Sequence, residues 1–234
     1  GEDTITGSNN AETINSAGGS DSINAGAGDD VVFSGNENDT VDGGAGDDSL
    51  EGQNGNDSLS GGIGADTLLG GSGQDTLRGE AGDDSIDGGN ESDLIYGGDG
   101  SDTLSGGAGS DTLFGGAGDD SFSHSNSGTD RIYGEAGNDS LSYTAVNSVN
   151  GTVLFDGGAG NDTLVLVDQS TKRFTFDDTA YVRLNDVEVI ELAGDAQILD
   201  LDSQAIREFA PSTNATVDNT TYNAQTILVV TSTG

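Results

Sequence analysis

The chain has 234 residues, with 42 Asp and Glu against six Lys and Arg, a formal net charge of -36, 40 Gly, one His and no Cys, Met or Trp. That charge repels nucleic-acid phosphates and anionic membranes, and no stretch approaches the roughly 20 apolar residues of a membrane span. Without Cys and with one His there is no disulfide framework, thiolate metal site, cysteine nucleophile or zinc-protease helix, and such a composition stays disordered unless something cancels the charge.

The acids are placed on a grid. Stepping by nine from the N-terminus gives Asp3, Glu12, Asp21, Asp30, Asp39, Asp48, Asp57, Asp66, Asp75, Asp84, Asp93, Asp102, Asp111 and Asp120. Two residues beyond each stands an apolar residue: Ile5, Ile14, Ile23, Val32, Val41, Leu50, Leu59, Leu68, Leu77, Ile86, Ile95, Leu104, Leu113 and Phe122. A Gly-rich hexad precedes each acid, as in Gly70-Gly71-Ser72-Gly73-Gln74-Asp75. Two residue classes held in phase over fourteen steps are not a chance pattern. The hexad predicts a turn, because Gly supplies positive φ and close backbone approach. The three residues after it predict a short strand that sends the apolar residue to one face and its neighbours to the other.

The consensus G-G-x-G-x-D-x-U-x, with U a large aliphatic, resembles the calcium-binding repeat of the RTX family. The resemblance covers residues 1–142 in detail and fades beyond. It implies an all-β fold: a right-handed parallel β-roll, a calcium-stacked solenoid of nonapeptide repeats, over 1–142, followed by a β-rich capping and secretion-associated region over 143–234. In the family two nonapeptides make one coil, so fourteen repeats imply seven coils and a rod of about 34 Å at ~4.8 Å per strand. One aliphatic per nine residues buries too little to offset backbone ordering of about 1–2 kcal/mol per residue. The roll is therefore not expected to be stable alone. Calcium, which takes six to eight oxygen ligands, resolves the deficit.

The resemblance implies that a loop gives its Asp and the carbonyls of hexad positions 2 and 4, and that the loop 18 residues on gives its Asp and the carbonyls of positions 1 and 3. The implied ligands are Asp21, then Gly26, Gly28 and Asp30, then Gly35 and Asp39. Next come Gly43, Gly44, Ala45, Gly46 and Asp48, followed by Gly52, Asn54, Gly55 and Asp57. Gly61, Gly62, Ile63, Gly64 and Asp66 lead to Gly70, Gly71, Ser72, Gly73 and Asp75. The central loops continue with Gly79, Ala81, Gly82 and Asp84, and with Gly88, Gly89, Asn90 and Asp93. Gly97, Gly98, Asp99, Gly100 and Asp102 precede Gly106, Gly107, Ala108, Gly109 and Asp111. The last are Gly115, Gly116, Ala117, Gly118 and Asp120, then Asp130, Gly134, Ala136 and Asp139. Twelve pairs 18 apart run from Asp3/Asp21 to Asp102/Asp120, and the nine from Asp30/Asp48 onward have the best loops, so about nine or more calcium ions are expected.

Some loops depart from the pattern. Glu12 replaces Asp in a hexad that has lost most of its Gly, and the hexad ending at Asp39 contains Ser34, Asn36 and Glu37. Weak or absent binding is expected at the first three repeats. The grid slips by one residue at 123–129 and resumes with Asp130/Ile132 and Asp139/Leu141. Asp139 is expected to stack over Asp120, and Asp162, beyond an insertion, to be isolated or weak. An acidic linker would have no reason to carry the aliphatic grid. An EF-hand would need a 12-residue loop, a terminal Glu and flanking helices, none of which is present.

On the outer faces most residues before U are Thr or Ser. The exceptions Leu94, Tyr96 and Phe114, with Arg78 one coil below Tyr96, are expected to be covered by the C-terminal region or a partner; Val31 and Phe33 share the other face. No Thr/Asn ladder runs along hexad position 3, which argues against ice binding. From residue 143 strands are expected at 152–155, 163–167, 173–176, 181–184, 187–192, 198–201 and 226–230, with a short helix at 202–209 before Pro211. This region is expected to cap the open end of the roll. Lys172, Arg173, Arg183 and Arg207 lie in it. The segment at 187–201 is loosely similar to segments C-terminal to the repeats in large RTX adhesins. The chain reads as a piece of a larger protein.

The resemblance implies a non-enzymatic, calcium-dependent folding module of a secreted bacterial adhesin or surface-layer protein, exported by the type I secretion machinery and extracellular or at the cell surface. Its partners would be calcium, that machinery, and a cell surface or other domains, without nucleic acid or membrane insertion. The alternatives are the C-terminal module of a secreted RTX protease, lipase or polysaccharide epimerase, or a lytic toxin repeat block. No G-x-S-x-G or H-E-x-x-H is present, and His124 reads as a loop residue.

Overall fold

The computed structural model describes residues 1–124, 127–145, 150–168, 173–176, 182–185, 187, 189–193, 198–201, 214–217, 220–223 and 228–231. Successive strands alternate between two parallel sheets. Ser22–Ala27, Thr40–Ala45, Ser58–Ile63 and Thr76–Ala81 belong to a ten-stranded sheet that begins at Thr4–Thr6. Val31–Asn36, Ser49–Asn54, Thr67–Ser72 and Ser85–Asn90 belong to an eleven-stranded sheet that begins at Thr13–Asn15. Each strand of these two sheets therefore pairs with the one a full coil away, so they form a parallel β-solenoid, and no helix occurs among the described residues.

The register follows the grid. Ile23 pairs with Val41, Val41 with Leu59 and Leu59 with Leu77; on the other sheet Leu50 pairs with Leu68 and Ile86 with Leu104. These residues form the core, with Leu59, Leu68, Leu77, Ile95 and Leu104 at zero exposure. Most strands run six residues, longer than the three that the x-U-x unit predicts, because the ladder continues into the hexad: Gly44 pairs with Gly62 and Ala45 with Ile63. Gly44 holds φ at +106°, and a Cβ there would collide with the carbonyl of Gly26 in the preceding coil, so glycine is required for the coils to stack.

The one-residue slip is absorbed in the turn. Leu113 pairs with Ile132 and Phe122 with Leu141, a step of 19, and the next steps, Ile132 to Phe155 and Leu141 to Leu164, span 23. Both sheets continue past residue 142. Asn150–Asp156 and Val182–Asn185 extend one, and Thr163–Asp168, Val189–Ala193 and Leu228–Thr231 extend the other. Arg173–Phe176 pairs in parallel with Ile198–Leu201, and Asn214–Val217 forms an unforeseen antiparallel pair with Thr220–Asn223. The helix expected at 202–209 lies outside the described residues.

The outer aromatic cluster covers itself. Tyr96 stacks on Phe114 at 5.1 Å and Phe114 on Tyr133 at 5.0 Å, while the Arg78 guanidinium sits 5.2 Å from the Tyr96 ring centre. Leu94, Tyr96 and Phe114 are half-buried. Parallel strands in register place rings one coil apart at this spacing, so stacking along the axis needs no outside partner.

The thin core makes each aliphatic layer costly to remove. Leu68→Ala, measured by urea unfolding at saturating calcium, is expected to destabilise by about 2–5 kcal/mol. The exposed neighbour Thr67→Ala is expected to stay within about 0.5 kcal/mol.

Candidate metal centre

Each hexad ends by turning its Asp inward. Asp30, Asp48, Asp57, Asp66, Asp75, Asp84, Asp102, Asp111 and Asp120 are all buried despite their charge. One carboxylate oxygen of each is held by the preceding coil. The Asp30 amide donates to Asp48 Oδ1 at 2.7 Å and the Asp48 amide to Asp66 Oδ1 at 2.7 Å. On the other edge the Asp57 amide donates to Asp75 Oδ1 and the Asp75 amide to Asp93 Oδ1, both at 2.8 Å. The ladder crosses the slip: the Asp111 amide donates to Asp130 at 3.0 Å and the Asp120 amide to Asp139 at 2.9 Å. Asp139 thus stacks over Asp120 as its position suggests. Asp162, expected to be isolated, continues the ladder instead: it is buried and its Oδ1 accepts from the Asp139 amide at 2.8 Å. The 23-residue step restores the register that the insertion interrupts.

The second oxygen has no partner in the protein. Oδ2 of Asp21, Asp30, Asp39, Asp48, Asp57, Asp66, Asp75, Asp84, Asp93, Asp102, Asp111, Asp120 and Asp139 is buried without a hydrogen bond. An isolated buried carboxylate oxygen is costly enough that a structure retains it only with a cation or a proton. The space beside it is shaped for a cation. At Gly43 a Cβ would stand 2.5 Å from Asp48 Oδ2 and 2.7 Å from the Gly61 carbonyl. At Gly52 the separations are 2.5 Å from Asp57 Oδ2 and 2.6 Å from the Gly70 carbonyl. Calcium–oxygen bonds are about 2.3–2.6 Å long. A carboxylate of one coil and a carbonyl of the next thus converge on a point that glycine leaves open.

Among the described residues no three acidic or histidine side chains converge on one point, so any such centre must draw on the main chain. The hexad carbonyls lie between coils: Ile63 O accepts from the Gly46 amide at 2.8 Å and Gly89 O from the Ala108 amide at 2.7 Å. Each carbonyl keeps a second lone pair. An all-oxygen donor set of carboxylates and carbonyls suits a hard cation such as calcium.

Electrostatics point the same way. Burial pushes Asp84, Asp93 and Asp120 up to about 7, and Asp48, Asp57 and Asp111 up to about 6. The amide bond to the preceding coil offsets part of this, and the carboxylates one coil away add repulsion. Asp66, Asp75, Asp102 and Asp139 are raised by burial as well. Glu12 behaves differently: the Ser8 hydroxyl and then its amide hold the carboxylate below its ordinary value, so Glu12 closes its own turn.

A model of the RTX calcium-binding nonapeptide repeat matches residues 6–41, 33–68, 60–95, 69–104, 96–123, 124–144 and 151–166. The chain belongs to the RTX calcium-binding repeat family. A comparison with curated proteins finds no match. RTX nonapeptide repeats bind calcium, and the fold of this RTX chain is a structural calcium-binding one.

Two features escaped the reading of the repeat. The first is the amide bond to Oδ1, which a consensus of residue types does not reveal. The second is His124, which is no surface loop residue. It ends the strand Ser121–His124, is buried, stacks on Tyr143 at 5.3 Å and places Nδ1 2.6 Å from Asp130 Oδ2. The available signal was its place: it stands where other hexads begin with Gly.

Protons and a bound cation would compete for the same oxygens. Because burial raises these carboxylates, the metal-free folded chain binds more protons than the unfolded one. Its stability is fully present below the ordinary carboxylate value and is lost as pH rises through about 6–7. The metal-free protein is expected to gain strand signal in circular dichroism as pH falls from about 8 to about 4. Calcium affinity by calorimetry is expected to weaken between about pH 8 and about pH 5, and a flat profile would contradict the assignment.

Proposed function

We propose that this chain is a calcium-dependent folding module of a larger secreted bacterial adhesin or surface-layer protein. The observation that carries the reading is the line of buried Oδ2 atoms without a protein partner on both edges of the solenoid. Calcium bound between Asp residues one coil apart, with hexad carbonyls of both loops, would neutralise each pair and join the coils. The best-supported pairs run from Asp48/Asp66 to Asp102/Asp120 on their respective edges, where the hexads begin with Gly. The described strands within 143–234 extend both sheets, which supports a capping role for that region.

A chain of net charge -36 has little reason to collapse where calcium is scarce, and stays extended for export. Extracellular calcium modules work at dissociation constants of about 10⁻⁴–10⁻³ M, and binding to the folded state alone stabilises it by mass action. The role is structural, since the single histidine is engaged with Asp130 and the RTX roll is a calcium-binding scaffold. No helix among the described residues is long and apolar enough to cross a membrane.

Chelation tests the reading. Excess EGTA at neutral pH is expected to abolish the strand-type circular dichroism spectrum and calcium to restore it; a spectrum unchanged by EGTA would sink the proposal. Asp75 takes part in the Asp57/Asp75 and Asp75/Asp93 pairs through its carboxylate and its amide. Asp75→Ala is therefore expected to weaken two ions together, read as a coordinated loss of stoichiometry and cooperativity in a calcium titration.

A further inference from the structure

The first residue of a hexad stands where an ion and a side chain exclude each other. Gly43, Gly52 and Gly70 occupy that position, and none of them is at positive φ, so the backbone there does not demand glycine. What demands it is space: the Cβ direction leads to the point that lies 2.5 Å from Asp48 Oδ2 and 2.7 Å from the Gly61 carbonyl in one loop, and equivalently in the next.

Three hexads carry a polar side chain at this position, and each bonds to one of the two oxygens that flank the point. Ser34 donates its hydroxyl to the Gly52 carbonyl at 3.0 Å. Ser16 donates to the Ser34 carbonyl at 2.5 Å. In both, the acceptor is the first-position carbonyl of the next coil. His124 takes the other oxygen: its Nδ1 lies 2.6 Å from Oδ2 of Asp130, the hexad's own acid. Asp130 is accordingly missing from the run of acids whose Oδ2 is left without a partner. All three side chains are buried. They also lie at the two ends of the repeat block, whereas the hexads that begin at Gly43 through Gly115 have glycine throughout.

We propose that the first hexad residue selects what closes each loop: glycine admits a calcium ion, and Ser16, Ser34 and His124 each replace one with a hydrogen bond supplied by the protein. Calcium is thereby admitted along the central coils and again at Gly134, and excluded where Ser16, Ser34 and His124 stand. This rests on the calcium reading above and assigns its limits. His124 satisfies the buried Oδ2 of Asp130, which then no longer needs a cation, whereas Ser16 and Ser34 take a first-position carbonyl, leave Oδ2 of Asp21 and Asp39 without a partner, and exclude the ion by filling its space.

A reciprocal swap tests it on the full chain, with bound calcium counted by native mass spectrometry at saturation. Gly70→Ser copies Ser34 into a central loop, keeps every acidic residue, sets a Cβ in the space beside Asp75 Oδ2, and is expected to remove one ion. Ser34→Gly is expected to add one. An unchanged count in a folded Gly70→Ser variant, or in Ser34→Gly, overturns the proposal. Should Gly70→Ser fail to fold, the Ser34→Gly count decides alone. Wild-type protein that binds no calcium would instead defeat the proposed function, so the two failures are distinguishable.

Discussion

The structure depends on how each repeat divides the two oxygens of one carboxylate. Oδ1 accepts an amide of the coil before, which fixes the register of the turn. From Asp21 to Asp120, Oδ2 is carried into the interior with nothing in the protein to meet it. The first oxygen makes the coils stack. The second makes that stacking conditional, because a buried anion without a partner opposes folding. Metal-free, the same geometry that orders the roll also loads it with repulsion between carboxylates one coil apart.

The core cannot overcome this by itself. Its inward side chains form two stacks, one aliphatic layer per half-coil, with Leu59 over Leu77 on one sheet and Leu50 over Leu68 on the other. A solenoid buries only what adjacent coils share, so stability accumulates through neighbour contacts along one axis. A cation held between coils strengthens that same contact. Each Asp faces the coil before it through Oδ1 and the space beside it through Oδ2, so occupancy at one level supports the next. On the proposed reading, folding and calcium binding are a single process, and calcium turns a self-repelling acidic chain into a stacked rod.

The outer surface obeys the same axial logic. Arg78, Tyr96, Phe114 and Tyr133 occupy equivalent places on successive strands and meet each other at about one strand spacing. Residues that look like an exposed apolar patch in one repeat become a ladder when repeats are stacked, and their faces are covered by their own kind.

The sequence by itself determined the acid ladder and the aliphatic grid, because each depends on a nine-residue period that survives without coordinates: Asp75 and Leu77 fall in place by counting, and the likeness to the RTX repeat implied the solenoid and its 18-residue register. That likeness also implied calcium as the component that offsets the charge. Only the tertiary structure decided how the period ends and what each oxygen does. The Asp162 step of 23 residues continues the ladder although the spacing breaks, because the insertion returns the chain to the same edge. His124 reads as a loop residue until the turn places its ring against Asp130. Bonds between coils join residues 18 or more apart, and the direction of a single oxygen depends on the backbone of the neighbouring coil, which residue type and spacing do not encode.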